Sequence, residues 1–193
     1  MTVLGVDPGL ADTGWALVED RPAGPALLAS GILRTSPRAA LPERLEQIHA
    51  GLLRILRERK PEQLAVEEMF FLKAAHTVRA TLQARGVILL AASQSRVPVQ
   101  EYNPRQVKIA LTGSGSADKV QMQRMIRSAL SLRDVLRPDD VADAAAIALC
   151  HLRRSKARRF TVLERIGGGQ GAAVLEGARR SPLAEKGGGG AHG

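Results

Sequence analysis

The stretch Thr2-Val3-Leu4-Gly5-Val6-Asp7-Pro8-Gly9-Leu10-Ala11-Asp12-Thr13-Gly14-Trp15-Ala16-Leu17-Val18-Glu19 decides the fold. Thr2 to Val6 is a short apolar, β-branched run that reads as a strand stopped by Asp7-Pro8-Gly9. A second run, Thr13 to Glu19 around Trp15, follows the turn at Ala11-Asp12, and Leu27 to Arg34 makes a third. Three strands with such short connections predict an antiparallel meander. Beyond it, Pro42 to Arg59 sets Leu45, Ile48, Leu52, Ile55 and Leu56 at helical spacing opposite Arg44, Glu46, Arg54 and Arg57, and Pro61 ends the helix. Leu64 to Glu68 reads as a fourth strand. Ala75 to Ser93 follows as a helix with Val78, Leu82 and Leu89 inward, and Val97 to Tyr102 as a fifth strand. Short helices are expected over Pro104 to Leu111, capped by Asn103, and from a Ser116 cap to Leu130; a last one opens at Pro138 and runs to about Arg154. The order βββαβαβα predicts an α/β domain: a mixed five-stranded sheet with helices on both faces.

Of the 193 residues, 28 are Lys or Arg and 19 are Asp or Glu, a net charge of +9. At 45% apolar residues the chain can bury a core, which excludes wholesale disorder. The single Cys150 excludes a disulfide framework and a Cys-rich zinc module, and four scattered histidines form no ligand-spaced cluster. No apolar run reaches the roughly 18 to 20 residues of a membrane span, and no signal peptide is evident, so a cytoplasmic protein without membrane contact is expected. Composition shifts near residue 160: the last stretch holds ten of the 19 glycines and only +1 of the charge. Residues 1–158 are therefore read as the folded domain and 159–193 as a Gly-rich, disordered tail. A basic folded body suits a polyanionic partner. With five aromatics in the chain, any grip on nucleic acid rests on charge more than on stacking.

In so basic a protein the placement of acids carries information. Asp7 ends an apolar strand at a Pro-Gly turn, where an Asp also serves simply to stabilise the turn. Glu67 and Glu68 follow Leu64-Ala65-Val66, and period two sends one to each face of the sheet. Asp139, Asp140 and Asp143 open the last helix, where carboxylates favour the free N–H groups and the dipole. Capping needs only one or two of them, however, and Asp140 and Asp143 share a face. Asp7, Glu67, Asp140 and Asp143 would all lie at element ends, and ligands of open α/β sheets gather at the carboxyl ends of strands. Four clustered carboxylates without Cys or His suit a hard cation, Mg²⁺ with Mn²⁺ as a substitute. Two such ions about 3.5–4 Å apart are suited to phosphodiester cleavage.

Gly5-Val6-Asp7-Pro8-Gly9 with Thr13-Gly14-Trp15-Ala16, then Ala65-Val66-Glu67-Glu68-Met69-Phe70, Gln83-Ala84-Arg85-Gly86 and Asp140-Val141-Ala142-Asp143-Ala144 form, in order, a combination that resembles the RuvC family of crossover-junction endonucleases over residues 1–155. The resemblance implies an RNase H-like fold and resolution of Holliday junctions by paired symmetric nicks during DNA recombination and repair. It implies two Mg²⁺ held by Asp7, Glu67, Asp140 and Asp143, and it selects Glu67 over Glu68. Lys108 and Lys119 match family lysines at the scissile backbone, where a cation stabilises charge developing on the phosphate. Phe70, and less so Phe71, match an aromatic that wedges against an unstacked base. The implied partners are a four-way DNA junction, a second copy of the chain and junction-binding, branch-migration ATPase subunits.

The apolar width of the helix around Val87, Ile88, Leu89 and Leu90 provides for both a core and a partner. A C2 dimer would match a junction that must be cut on two opposing strands. Two alternatives within the same fold are a non-catalytic junction binder and an RNase H-like nuclease acting on RNA. The opening hairpin is also similar to the phosphate-contacting hairpin of actin-like ATPases, but the chain is too short for their two domains. Thr112-Gly113-Ser114-Gly115 lacks the Gly-Lys-Ser of a nucleotide loop.

Overall fold

A computed structural model describes residues 1–68 and 75–175, with side chains over 1–68 and 79–157; Phe70 and Phe71 lie outside the described residues. The chain divides into two units, Met1–Ser155 and Lys156–Gly193.

The first unit is built on strands β1 (Thr2–Asp7), β2 (Asp12–Arg21), β3 (Gly24–Arg34), β4 (Gln63–Glu67) and β5 (Val99–Tyr102), in the order β3-β2-β1-β4-β5. The meander pairs antiparallel, whereas β4 joins β1 and β5 joins β4 in parallel. Helices α1 (Leu41–Arg59) and α2 (Ala75–Gln94) make the parallel crossovers, and α3 (Pro104–Thr112), α4 (Lys119–Ala129) and α5 (Asp139–Leu175) follow.

Alternation along the strands sorts the core into two layers. Leu4, Val6, Leu17, Leu64 and Val66 pack with Ile48, Leu52, Ile55 and Leu56 of α1 and Ala84, Ile88, Ala91 and Ala92 of α2. Apart from Ile88, the buried residues of α2 among those described are alanines; Leu82 and Leu89, expected inside, are half-buried, and the Val78 side chain lies outside the described residues. On the opposite face Val3, Ala16, Val18, Ala65 and Tyr102 meet α3, α4 and α5.

Local chemistry accounts for the element ends. Asn103 caps α3 by accepting from the Gln106 N–H at 2.8 Å, and Gly113, at φ 79°, closes the helix in the left-handed region. Asp118, not Ser116, caps α4 through the Gln121 N–H at 2.8 Å; a carboxylate one residue before the helix outcompetes the more distant hydroxyl, which pairs with Ser114. The β1–β2 turn is strapped by Thr13 Oγ1 donating to Gly9 O at 2.6 Å and Thr35 Oγ1 donating to Leu10 O at 2.6 Å.

In the second unit α5 continues to Leu175, where a structureless tail was expected from residue 159. Extending an existing helix needs no new nucleus, and the Leu163, Glu164, Arg165 and Ile166 run favours it. Each of the following glycines costs only about 1 kcal/mol relative to Ala.

Candidate active site

Asp7 and Glu67 end two neighbouring parallel strands whose last registered pair is Val6 with Val66, so the two acids emerge side by side at one end of the sheet. Asp7 follows Val3 and Gly5 onto the α5 face, and Glu67 follows Ala65. Glu68 takes the next alternation, its backbone N–H donating to Tyr102 O at 2.8 Å. Among the neighbouring pair, Glu67 therefore shares the Asp7 face.

Two glycines bring the remaining acids to this end. A Cβ at Gly14 would stand 2.1 Å from the Asp140 carbonyl oxygen, and one at Gly5 2.0 Å from that of Ala144. Only bare backbone lets α5 lie this close. Gly14 is also the β2 partner of Asp7, so the contact sets the first turn of α5 directly over Asp7. Ala144 and Ala148, both buried, bring the α5 backbone against Gly5 one to two turns further along.

The electrostatics record the convergence. Burial, followed by the charges of Glu67, Asp143 and Asp140 and a hydrogen bond with Glu67, raises the Asp7 pKa from 3.8 to about 8. Asp143 opens into a groove whose walls desolvate it and raise its pKa; Lys119 opposes the shift, and Asp139 and Asp140 add to it. Asp139 is committed elsewhere. It pairs with Lys119 at 2.6 Å, which lowers its pKa and raises that of Lys119, and accepts from Gln123 Nε2 at 3.1 Å.

The groove, about 430 Å³, is lined by Glu67, Asp143, Lys108 of α3 and Lys119 at the start of α4, with Pro104, Val107, Met122, Ala146 and Ile147 as its apolar walls. Both lysines singled out in the sequence thus border the space that Glu67 and Asp143 enter. The basic run at 153–159 is partly structural: Arg153 donates to the Ala110 and Leu111 carbonyls at 2.7 and 3.2 Å, capping α3, and Arg154 lies over the Tyr102 ring. Gly5 and Gly14 had no assigned role in the sequence, although a glycine inside an otherwise apolar strand signals close backbone approach.

The donor set fits a divalent metal by its chemistry, with four hard carboxylates, no competing Cys or His, and an Asp7 whose raised pKa expresses a local excess of negative charge. Among the described residues no three His, Cys, Asp or Glu side chains are drawn together closely enough to hold an ion in the rotamers they adopt. Asp7 and Glu67 are hydrogen-bonded through their side chains, which adds to the rise in the Asp7 pKa.

A mixed sheet in this order, with acids ending its two central parallel strands and opening a helix laid across them, defines an RNase H-like nuclease. The family model for crossover junction endodeoxyribonuclease RuvC matches residues 3–151, and the chain belongs to this family. A RuvC of Endomicrobium trichonymphae is 47% identical over 156 residues, 79% of this chain and 80% of that protein. The structure of Thermus thermophilus RuvC in complex with Holliday junction substrate superposes with a TM-score of 0.77 at 39% identity, covering 81% of this chain and 96% of that one. The yeast mitochondrial Holliday junction resolvase Ydc2, 14% identical with a TM-score of 0.59 over 78% of this chain and 77% of its own, shares the fold. Nucleases of the family are metal-dependent. Among the described residues, no helix is long and apolar enough to cross a membrane.

Proposed function

We propose that this chain resolves Holliday junctions by paired symmetric nicks in the course of DNA recombination and repair, with Asp7, Glu67, Asp140 and Asp143 as ligands of two Mg²⁺. The observation that carries the reading is geometric: Asp7 and Glu67 end adjacent parallel strands, and the start of α5, which bears Asp140 and Asp143, lies against Gly14, the partner of Asp7. A carboxylate cluster this unfavourable in a DNA-cutting protein is useful when cations neutralise it. Held by these four carboxylates, the ions would supply activation of water and stabilisation of the leaving 3′ oxygen. Asp7 and Glu67, fixed at strand ends, give the site its rigid half; Asp140 and Asp143 complete it from α5. Lys108 and Lys119 border the groove and meet the charge that builds on the scissile phosphate. Phe70, with Phe71 beside it, serves as the wedge at the junction.

Two copies of the chain place two such sites on opposing strands of a nearly two-fold substrate. The outer face of α2 supports this reading, since Leu90 is 52% exposed there while Ile88 on the inner face is buried. Junction-binding and branch-migration ATPase subunits complete the expected assembly in the cytoplasm. The direct test incubates the purified protein with a labelled four-way junction and a matched linear duplex, with Mg²⁺ or EDTA. Symmetric Mg²⁺-dependent nicks on the junction alone are expected; binding without nicks would make it a non-catalytic junction protein.

A further inference from the structure

Away from the acidic end, the layer between sheet and α5 is apolar except at one place. Tyr102 at the end of β5 and His151 on α5, 5% and 2% exposed, are joined by a 2.8 Å hydrogen bond between the phenol and Nδ1. The other ring nitrogen, Nε2, lies 3.3 Å from Ser155 Oγ, so both nitrogens are engaged and the imidazole cannot turn freely. Either hydroxyl can donate or accept, which satisfies either neutral tautomer. Tyr102 is also the registered β5 partner of Glu67. The pair thus ties the helix bearing Asp140 and Asp143 to the strand that flanks Glu67.

The rest of the α5 interface sets distance better than it sets register. Ala144 and Ala148 lie against Gly5 of the sheet, and a small-residue surface presents shallow ridges to its neighbour. The Gly5 and Gly14 contacts limit how far away the helix lies; a slide along its axis meets little resistance from such a face. A hydrogen bond is directional and confined to roughly 2.7–3.2 Å. From Asp143 to His151 the helix rises about 12 Å at 1.5 Å per residue, and as a stiff rod it carries an axial shift at one end to the other. Metal ligands must be held to within roughly 0.5 Å. Buried polar contacts are best attested in this use, as devices that choose one register among apolar alternatives.

We propose that the Tyr102–His151 hydrogen bond is a register pin, making both positioning residues that fix Asp140 and Asp143 against Asp7 and Glu67. This rests on the reading that those four acids hold the metal. The test titrates Mn²⁺ into the DNA-free protein by calorimetry, alongside junction affinity and single-turnover cleavage. Tyr102→Phe removes only the hydroxyl. His151→Asn keeps a polar atom near Nδ1 and can still reach Tyr102, whereas His151→Gln reaches only toward Ser155. Tyr102→Phe and His151→Gln are expected to weaken Mn²⁺ binding and slow cleavage by about tenfold, with junction affinity unchanged and His151→Asn within about twofold of the parent.

Parent-like Mn²⁺ binding in Tyr102→Phe would overturn the pin, as would equal losses in His151→Asn and His151→Gln. Ile48→Val, in the core layer on the other face of the sheet, controls for general loosening. If it weakens Mn²⁺ binding as much as Tyr102→Phe does, the pin is likewise overturned. Undiminished Mn²⁺ binding by Asp7→Asn would instead sink the metal-site reading, independently of Tyr102.

Discussion

At the level of single residues, Asp7 concentrates the chemistry. Between its ordinary value of 3.8 and its folded value of about 8, the folded chain retains a proton that the unfolded chain has released. The folded state binds more protons across that window, so the stability contributed by Asp7 is present at low pH and is lost as the pH rises toward 8. Asp7→Asn removes this dependence while keeping the side chain's size. In EDTA its melting temperature is expected to vary less over pH 4–8 than that of the parent, and to exceed the parent's at pH 8. Thermal denaturation monitored by circular dichroism measures both. In Mg²⁺ the same variant is expected to bind junctions and cut none, as a gel assay would show. Lys119 and Asp139 separate a working group from its tether. Lys119→Ala is expected to slow cleavage by about 10²-fold through lost transition-state charge stabilisation. Asp139→Asn, which breaks only an exposed ion pair, should leave the rate within a few-fold, because such pairs contribute little in water. A collapse of activity in Asp139→Asn would place that carboxylate among the metal ligands.

At the level of elements, the active end is made by where α5 lies. The Asp-x-x-Asp spacing put two acids on one face of a helix start, and alternation put one of two glutamates on the correct face of a strand. Neither pattern says that the helix crosses β1 and β2 at Gly5 and Gly14. An Ala at Gly14 would press its Cβ to 2.1 Å from a backbone oxygen that has no freedom to move aside. Gly14→Ala is therefore expected to cost about 1–3 kcal/mol of stability by overpacking. Because the displaced element carries Asp140, cleavage should fall further than junction binding; urea denaturation and paired binding and cleavage assays report the two effects. The extension of α5 to Leu175 was hidden for a related reason. Glycine content suggests a flexible chain, but the cost of each glycine is felt against a ladder already formed, which composition does not reveal.

At the level of the whole molecule, the net charge of +9 predicts a grip on DNA dominated by phosphate contacts. Junction affinity is expected to fall by about 10³-fold between 50 and 200 mM salt as counterions are released, measured by fluorescence anisotropy. A flat response would contradict a charge-driven grip. Removal of residues 160–193, which carry only +1 of the charge, is expected to spare cleavage of small junctions.

The succession of strands and helices, the opening meander and the candidate acids were readable in the chain, because each depends on periodicity or turn chemistry spanning a few neighbouring residues; the order β3-β2-β1-β4-β5 came with the tertiary structure. Period two allowed only one of Glu67 and Glu68 to share a face with Asp7, the family resemblance chose Glu67, and helical spacing gave the inward face of α1. Other features came only with the tertiary structure: the Asp7 carboxyl crowded by Glu67, the diversion of Asp139 to Lys119, the use of Arg153 as a cap, and the buried Tyr102–His151 pair. Each is a meeting of residues distant in sequence, governed by burial and charge at the point of contact. No local pattern specifies such a meeting before the helix and the sheet have packed.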